Sequence, residues 1–187
     1  MRVIAGTAKG RRLKTLKGLH QRPTTDRVKE SIFAVLGEQI HEADVRDLFA
    51  GTGNLGIEAL SRGARTVLFI DNSVQAREII KENLRLTQFI DKAEIWLSDY
   101  YSALRQIQAK GRGFDLVFAD PPYGRGFGMR TLLGLDKYGL LKSEGLFILE
   151  HPSDEDIHCP LRSMNKVVEK IFGQTQIQFY QCIQRKE

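Results

Sequence analysis

Asp120-Pro121-Pro122-Tyr123 is the stretch of this 187-residue chain whose residue types and spacing most directly carry chemistry. It follows Phe114, Leu116, Val117, Phe118 and Ala119, an apolar run broken only by Asp115 that predicts a short buried strand. A strand that stops at an acid, two prolines and an aromatic presents a fixed polar and stacking surface at a sheet edge. The prolines fix φ and withdraw two backbone donors, so the carbonyls here stay free to accept hydrogen bonds. A proline-terminated strand with a solvated tyrosine is the plainer alternative, and a glycine-rich loop upstream weighs against it.

That loop runs Ala50-Gly51-Thr52-Gly53-Asn54-Leu55-Gly56, after a predicted strand Val45-Arg46-Asp47-Leu48-Phe49 and before a helix opening Ile57-Glu58-Ala59-Leu60. Gly51, Gly53 and Gly56 fit the G-x-G-x-x-G pattern in its strand-turn-helix context, and Asp71 ends the next strand twenty residues after Gly51. Such a loop lets backbone approach a ligand closely, while the second-strand acid accepts from ribose hydroxyls. Glycines serving only tight packing are the alternative. A pyrophosphate would use the helix N-terminus and favour a nicotinamide dinucleotide. S-adenosylmethionine has no phosphate, and its sulfonium favours nearby acids. Asp47 before the loop, Asp71, and Asp99 after the third strand favour the sulfonium cofactor, and no tyrosine-lysine or histidine arrangement for hydride transfer is evident. Asp99, just before a helix, also fits a simple helix cap.

The elements that must position these residues alternate. Strands are predicted near 45–50, 66–70, 94–98, 114–119 and 145–150, and helices near 54–62, 73–88, 100–109 and 128–138. Strand-helix alternation implies right-handed βαβ units and a mostly parallel sheet covered on both faces. Met164 to Phe172 and Thr175 to Arg185, joined at Gly173-Gln174 without a helix, predict a closing antiparallel hairpin at the sheet edge. A helix starts near Arg22-Pro23-Thr24-Thr25-Asp26, with Thr24 or Thr25 as cap, and shows Val28, Ile32, Val35 and Leu36 as its apolar face until Gly37.

Length predicts one domain, and 42% hydrophobic with 27% charged residues is the composition of a soluble globular protein. Cys159 and Cys182 stand in neither metal nor redox spacing, which points to a reducing compartment and no metal site. No segment resembles a signal peptide or a membrane span, so a cytoplasmic protein is expected. The net charge of +5 is unevenly placed: residues 1 to 24 carry Arg2, Lys9, Arg11, Arg12, Lys14, Lys17 and Arg22 with no acid, leaving the remainder at −2. A basic N-terminal arm or hairpin (1–24) on a single balanced domain (25–187) is the electrostatic footprint of a phosphate-backbone binder, or else a solubilising tail.

Taken in order, the glycine loop, Asp71, Asp99 and the fourth-strand Asp120-Pro121-Pro122-Tyr123 resemble class I S-adenosylmethionine-dependent methyltransferases of exocyclic or amide nitrogens, which share [DNS]-P-P-[YFW] at this position. Val3-Ile4-Ala5-Gly6, Lys9-Gly10-Arg11-Arg12-Leu13, Arg22-Pro23-Thr24-Thr25-Asp26-Arg27-Val28, Asp47-Leu48-Phe49-Ala50-Gly51-Thr52-Gly53 and Glu150-His151 extend the likeness to the RsmD family over nearly the whole chain. That family methylates the N2 amine of one guanine in 16S ribosomal RNA.

The resemblance implies an α/β, Rossmann-like class I methyltransferase fold: a mostly parallel seven-stranded sheet with a C-terminal antiparallel hairpin and helices on both faces. It implies Asp120, Pro121 and Tyr123 as catalytic residues, and Asp47, Ala50, Gly51, Gly53, Asp71 and Asp99 around S-adenosyl-L-methionine. Arg11, Arg12, Arg22 and Arg125 are the candidate RNA contacts. The partner would be 16S rRNA, within the small subunit or an assembly intermediate, and the enzyme a monomer. Rival readings are a DNA adenine or cytosine amino-methyltransferase, a protein glutamine methyltransferase, a nicotinamide dehydrogenase, and a noncatalytic RNA-binding module. The DNA enzymes usually carry a target-recognition domain for which this chain has no room, and the glutamine enzymes typically have asparagine where Asp120 stands. His151 reads as structural.

Overall fold

A computed structural model of the chain describes residues 1–15, 26–111, 113–124 and 126–183. Five parallel strands alternate with helices. They are β1 (Asp44–Leu48), β2 (Thr66–Asp71), β3 (Ala93–Leu97), β4 (Phe114–Ala119) and β5 (Leu141–Pro152). The helices are α1 (Asp26–Leu36), α2 (Asn54–Ser61), α3 (Val74–Thr87), α4 (Tyr100–Ala109) and α5 (Phe127–Tyr138). β6 (Met164–Phe172) and β7 (Thr175–Cys182) form the expected hairpin, turning at Gly173 with φ 62°. The sheet order is β3-β2-β1-β4-β5-β7-β6, with β7 antiparallel to both β5 and β6.

The strands read as near-continuous apolar runs because both sheet faces are covered. In β2, Val67 and Phe69 join the core under α1, α2 and α3, whereas Leu68 and Ile70 join the core under α4 and α5. The period-2 alternation of a strand thus feeds two separate cores from one segment. β5 starts earlier than its apolar pattern predicts; Glu144 takes φ 63° within it, and the pairing with β4 shifts register between Phe114 and Leu116. The helix expected from residue 24 begins among the described residues at Asp26, and its predicted caps Thr24 and Thr25 lie outside them.

Residues 1–15 double back on themselves. Arg2 bridges Arg12, Val3 N–H donates to Arg11 C=O, and Leu13 N–H donates to Met1 C=O. Val3, Ala8 and Leu13 are buried in the same cluster as α1, α2 and α3. Beneath the segment stands a fully buried ion pair, Lys29 Nζ to Glu58 Oε2 at 3.1 Å. Lys29 also donates to Arg2 C=O and Asn54 Oδ1, and Glu58 accepts from Ile4 N–H, Ala5 N–H and Arg62 Nε. Burial pulls the Lys29 ammonium below its usual pKa, with Glu58 opposing. Charges this deep persist only when every donor and acceptor is matched, as they are here.

In a doubly wound sheet the crevice opens where strand order reverses. β1 lies between β2 and β4, so that point falls at the carboxyl ends of β1 and β4.

Candidate active site

A cleft of about 1090 Å³ opens there, and Asp47, Asp71, Asp99 and Asp120 all line it. Four carboxylates from four successive strand ends meet in one cavity. Arg130 is the only Lys or Arg side chain among its described lining residues.

The glycine loop is held from beneath by two of these acids. Phe49 leaves β1 with φ 61°, a left-handed conformation that costs an ordinary residue ~1–2 kcal/mol. Gly51 and Gly53 follow at φ 56° and 79°. Ala50 N–H donates to Ile70 C=O, tying the loop to the end of β2. Gly51 N–H donates to Asp71 Oδ2 at 2.8 Å, and the other Asp71 oxygen accepts from Ser73 N–H at 2.9 Å. Ser73 in turn caps α3, accepting from Ala76 N–H. Gly53 is the N-cap of α2 and has no side chain to satisfy the helix's free donors. Asp47 does so from the strand below: its Oδ2 accepts from Gly56 N–H at 2.9 Å.

Asp47 is almost wholly buried, and burial, with added repulsion from Asp120 and Asp71, pushes its carboxyl up to about 7 against the Gly56 hydrogen bond. Asp99 is the opposite case. It is the N-cap of α4, and its bond from Ser102 N–H holds its carboxyl below the usual range. The helix-cap alternative for Asp99 therefore describes its geometry, while the residue also lines the cleft.

The facing wall begins at Asp120, directly after β4. Pro121 is buried; Pro122 and Tyr123 are exposed. The Tyr123 hydroxyl lies 3.1 Å from Thr175 Oγ1, so the hairpin reaches the site. Gly124 and Gly126 flank the turn with φ 79° and 64°.

Of the predicted cofactor residues, Asp47, Ala50, Gly51, Asp71 and Asp99 line the cleft, as do Asp120, Pro121 and Tyr123. Gly53 is not among the lining residues. A Cβ there would meet Ile57 and Phe69 at 3.3 Å, and one at Gly56 would come within 2.3 Å of the Phe69 ring. The packing alternative thus accounts for Gly56, whereas Gly51 faces the cavity. Arg11 and Arg12 are exposed on the N-terminal segment, with Arg11 Nη1 donating to Leu86 C=O. Arg22 and Arg125 lie outside the described residues. His151 is fully buried, its basicity lowered by desolvation, with Nδ1 2.8 Å from Pro152 C=O.

Sequence reasoning missed an aromatic cluster. Phe49, Tyr100 and Phe127 line the cleft with ring centroids 5.0 to 6.2 Å apart, and the Arg130 guanidinium lies 5.9 Å from the Phe127 ring. The available signal was positional, since Phe49 precedes the glycine loop and Tyr100 follows Asp99.

This sheet order and switch-point cleft define the class I methyltransferase fold. The solved structure of yhhF from Escherichia coli superposes with a TM-score of 0.86 at 35% identity, covering 97% of each chain. The Thermus thermophilus protein TTHA0928 gives 0.83 at 26%, covering 96% of this chain and 98% of that one. Among named relatives, Ribosomal RNA small subunit methyltransferase D of Haemophilus influenzae is 35% identical over 97% of this chain and 93% of its own length. The protein of that name from Escherichia coli K12 is 35% identical over 97% and 89%. Residues 1–181 match the model of the family described as Conserved hypothetical protein 95. The chain belongs to that family, the RsmD family.

Proposed function

We propose that this protein is an S-adenosylmethionine-dependent methyltransferase that methylates the exocyclic N2 amine of a guanine in 16S rRNA. The observation that carries the reading is the convergence of the glycine loop, four carboxylates and Asp120-Pro121-Pro122-Tyr123 on one cleft. At about 1090 Å³ the cleft exceeds the ~300–1000 Å³ that usually holds one small ligand, in keeping with two reactants side by side. The donor set suits the cofactor. A pyrophosphate would sit among four acids, which argues against a nicotinamide dinucleotide, whereas a cation with ribose hydroxyls is matched by them.

When bound, the cofactor supplies a methyl group on a sulfonium. Asp71 presents acceptor lone pairs to the ribose while its backbone bonds keep the carboxylate fixed. Asp47, beneath the glycine loop, would supply negative charge toward a bound cation in its ionised form. On the facing wall the guanine amine is a poor nucleophile because its lone pair is delocalised into the ring. Hydrogen bonds from its two protons to the Asp120 carboxylate and the Pro121 carbonyl hold the nitrogen toward tetrahedral geometry. Each bond to a charged acceptor is worth ~1.5–3 kcal/mol. Tyr123 stacks on the extruded base, worth ~1–3 kcal/mol. In-line positioning of nitrogen, methyl and sulfur supplies much of the rest. Asp120 need not be a strong base, because the proton leaves after transfer.

Arg11, Arg12, Arg22 and Arg125 contact RNA phosphates, and the substrate is the small subunit or an assembly intermediate, met by a monomer in the cytoplasm. The relatives' name supports small-subunit rRNA as the substrate, and the net charge of +7 in residues 1 to 24 supports contact with its phosphates. Among the described residues no helix is long and apolar enough to cross a membrane. Tritium transfer from labelled cofactor into 30S particles lacking the modification, compared with protein-free 16S rRNA, tests both substrate and presentation. Label recovered as N2-methylguanosine is the expected result; label on adenine, or in protein, refutes it.

A further inference from the structure

The N-terminal segment is joined to the glycine loop by one side chain on a different element. Asn83, on α3, is fully buried. Its Oδ1 accepts from Lys14 N–H at 2.8 Å, and its Nδ2 donates to Lys14 C=O at 3.1 Å and to Thr52 C=O at 2.9 Å. The side-chain amide stands in for a neighbouring strand, matching both backbone groups of Lys14, and spends its remaining proton on the loop residue between Gly51 and Gly53. A second link runs directly from loop to segment, where the Thr52 hydroxyl donates to Met1 Sδ at 3.4 Å. Met1 and Thr15, from the two ends of the described segment, line the cleft themselves. The cleft is therefore walled by the segment as well as by the loop.

Arg11 and Arg12 sit between these attachment points. Backbone bonds Gly10 N–H to Val3 C=O and Arg11 N–H to Ala8 C=O fix the turn that precedes them, and Glu58 and Ser61 hold residues 4 to 8. The segment is thus a strap with basic residues in its middle, a cleft wall at both ends and an amide clamp at Lys14. A buried polar network with every group matched rigidifies the elements it joins.

We propose that Asn83 is a positioning residue that couples occupancy of the cofactor site to RNA binding by the strap. This rests on the RNA-methyltransferase function proposed above. Ligand in the cleft favours the docked strap, the docked strap holds Arg11 and Arg12 in register with the methyl-donor loop, and RNA and cofactor each tighten the other's binding. By linkage the two enhancements are equal.

The test measures affinity of the full chain for 30S particles lacking the modification, with and without saturating S-adenosylhomocysteine. The same proteins are assayed for methyl transfer. The wild-type protein binds particles at least about fivefold more tightly in the presence of S-adenosylhomocysteine, and the particles tighten S-adenosylhomocysteine by the same factor. Asn83→Ala brings that ratio to within about twofold of one, while its affinity for S-adenosylhomocysteine alone stays within about threefold. A purely structural role would leave the ratio intact while lowering thermal stability. Because Asn83→Ala opens a buried site, a matched pair on the exposed strap gives a second measurement that leaves α3 unchanged. Lys14→Ala keeps the N–H and keeps the ratio; Lys14→Pro removes the N–H and loses it. Both lose the ion pair to Glu82, so that contact cancels between them. A wild-type ratio near one, or a ratio that survives Asn83→Ala or Lys14→Pro, overturns the clamp even when label enters RNA normally. Absence of label from RNA overturns instead the function on which the clamp rests.

Discussion

The two walls of the cleft are built on different principles. The wall proposed to hold the methyl donor is clamped: Asp47 accepts from Gly56 N–H in α2, and Asp71 accepts from Gly51 N–H in the glycine loop and from Ser73 N–H before α3. The acceptor wall is open. Tyr123 remains 47% exposed, its hydroxyl meets a hydroxyl from a separate hairpin, and glycines at positive φ follow it. A cofactor of fixed shape is best served by a preorganised surface, because ordering costs are then met in folding rather than in binding. A base that must leave an RNA stack arrives with its backbone attached, and a wall that adjusts can follow it. On the function proposed above, the difference would separate a cofactor bound in the same form every cycle from a base that must be captured.

That comparison yields its largest expected effect at Asp120. Asp120→Ala, by removing the acceptor proposed for the reacting amine, should lower methyl transfer by about 10²-fold or more, as expected for a charged hydrogen bond together with lost alignment. Cofactor affinity stays within a few fold, measured by calorimetry. Loss of both would mean that Asp120 belongs to the donor wall and that the two walls are not separable. Next in size is Asp71→Ala on the clamped side. It releases two half-buried backbone donors, lowers melting temperature and should weaken cofactor binding by about 10- to 100-fold, in line with ~1–3 kcal/mol for donors left without their charged acceptor. Turnover at saturating cofactor changes much less. A variant that binds cofactor normally would show that the clamp beneath the loop does not shape the site.

How much of this was legible in the sequence follows the same division. Strand ends carrying acids, and the order glycine loop, Asp71, Asp99, Asp120, are local patterns, so the sheet and the acid-lined cleft could be read off directly. The hairpin was equally visible, since β6 and β7 carry strand-like residues around Gly173 with no helix between them. That Asp47 caps α2 through Gly56 was not visible, because the cap comes from nine residues earlier instead of from the N-cap position. Nor was the strap. Asn83, Glu58 and Lys29 sit in amphipathic helices where polar residues normally face water, and only tertiary contact reveals that they are buried. The glycines and basic charge of residues 1 to 24 predicted an arm or hairpin, but not that Val3, Ala8 and Leu13, too sparse for a periodic signal, would bury its described part against the core.

Asp47 offers a subtler probe of the donor wall. Its carboxyl is raised from 3.8 to about 7, so the native state holds a proton that the unfolded chain releases. The stability it contributes is fully present below about pH 4 and is lost as pH rises through 7, by up to about 4 kcal/mol. Asp47→Asn retains an acceptor for Gly56 N–H and should flatten the dependence of melting temperature on pH over that window relative to wild type. A cation in the cleft favours the ionised form, so S-adenosylmethionine should bind more tightly as pH rises through 7, and S-adenosylhomocysteine, which lacks the sulfonium charge, less so. Equal pH dependence for the two would place the charge away from Asp47.

The smallest effect is expected at Tyr123, where the open wall can be tested directly. Tyr123→Ala removes the ring proposed to stack on the base and should raise KM for RNA about 10-fold, as ~1–3 kcal/mol of stacking implies. Tyr123→Phe keeps the ring and removes only the hydroxyl that meets Thr175. On an adjustable wall that hydroxyl does not set the ring's working position, since the incoming base does, and the phenylalanine variant should stay within about twofold of wild type in both kcat and KM. On a preorganised wall the Thr175 contact would fix the ring in advance, and the phenylalanine variant would fall toward the alanine one. Steady-state kinetics on the pair therefore decide whether the acceptor side is open by design or is clamped through the hairpin as firmly as the donor side is clamped through Asp47 and Asp71.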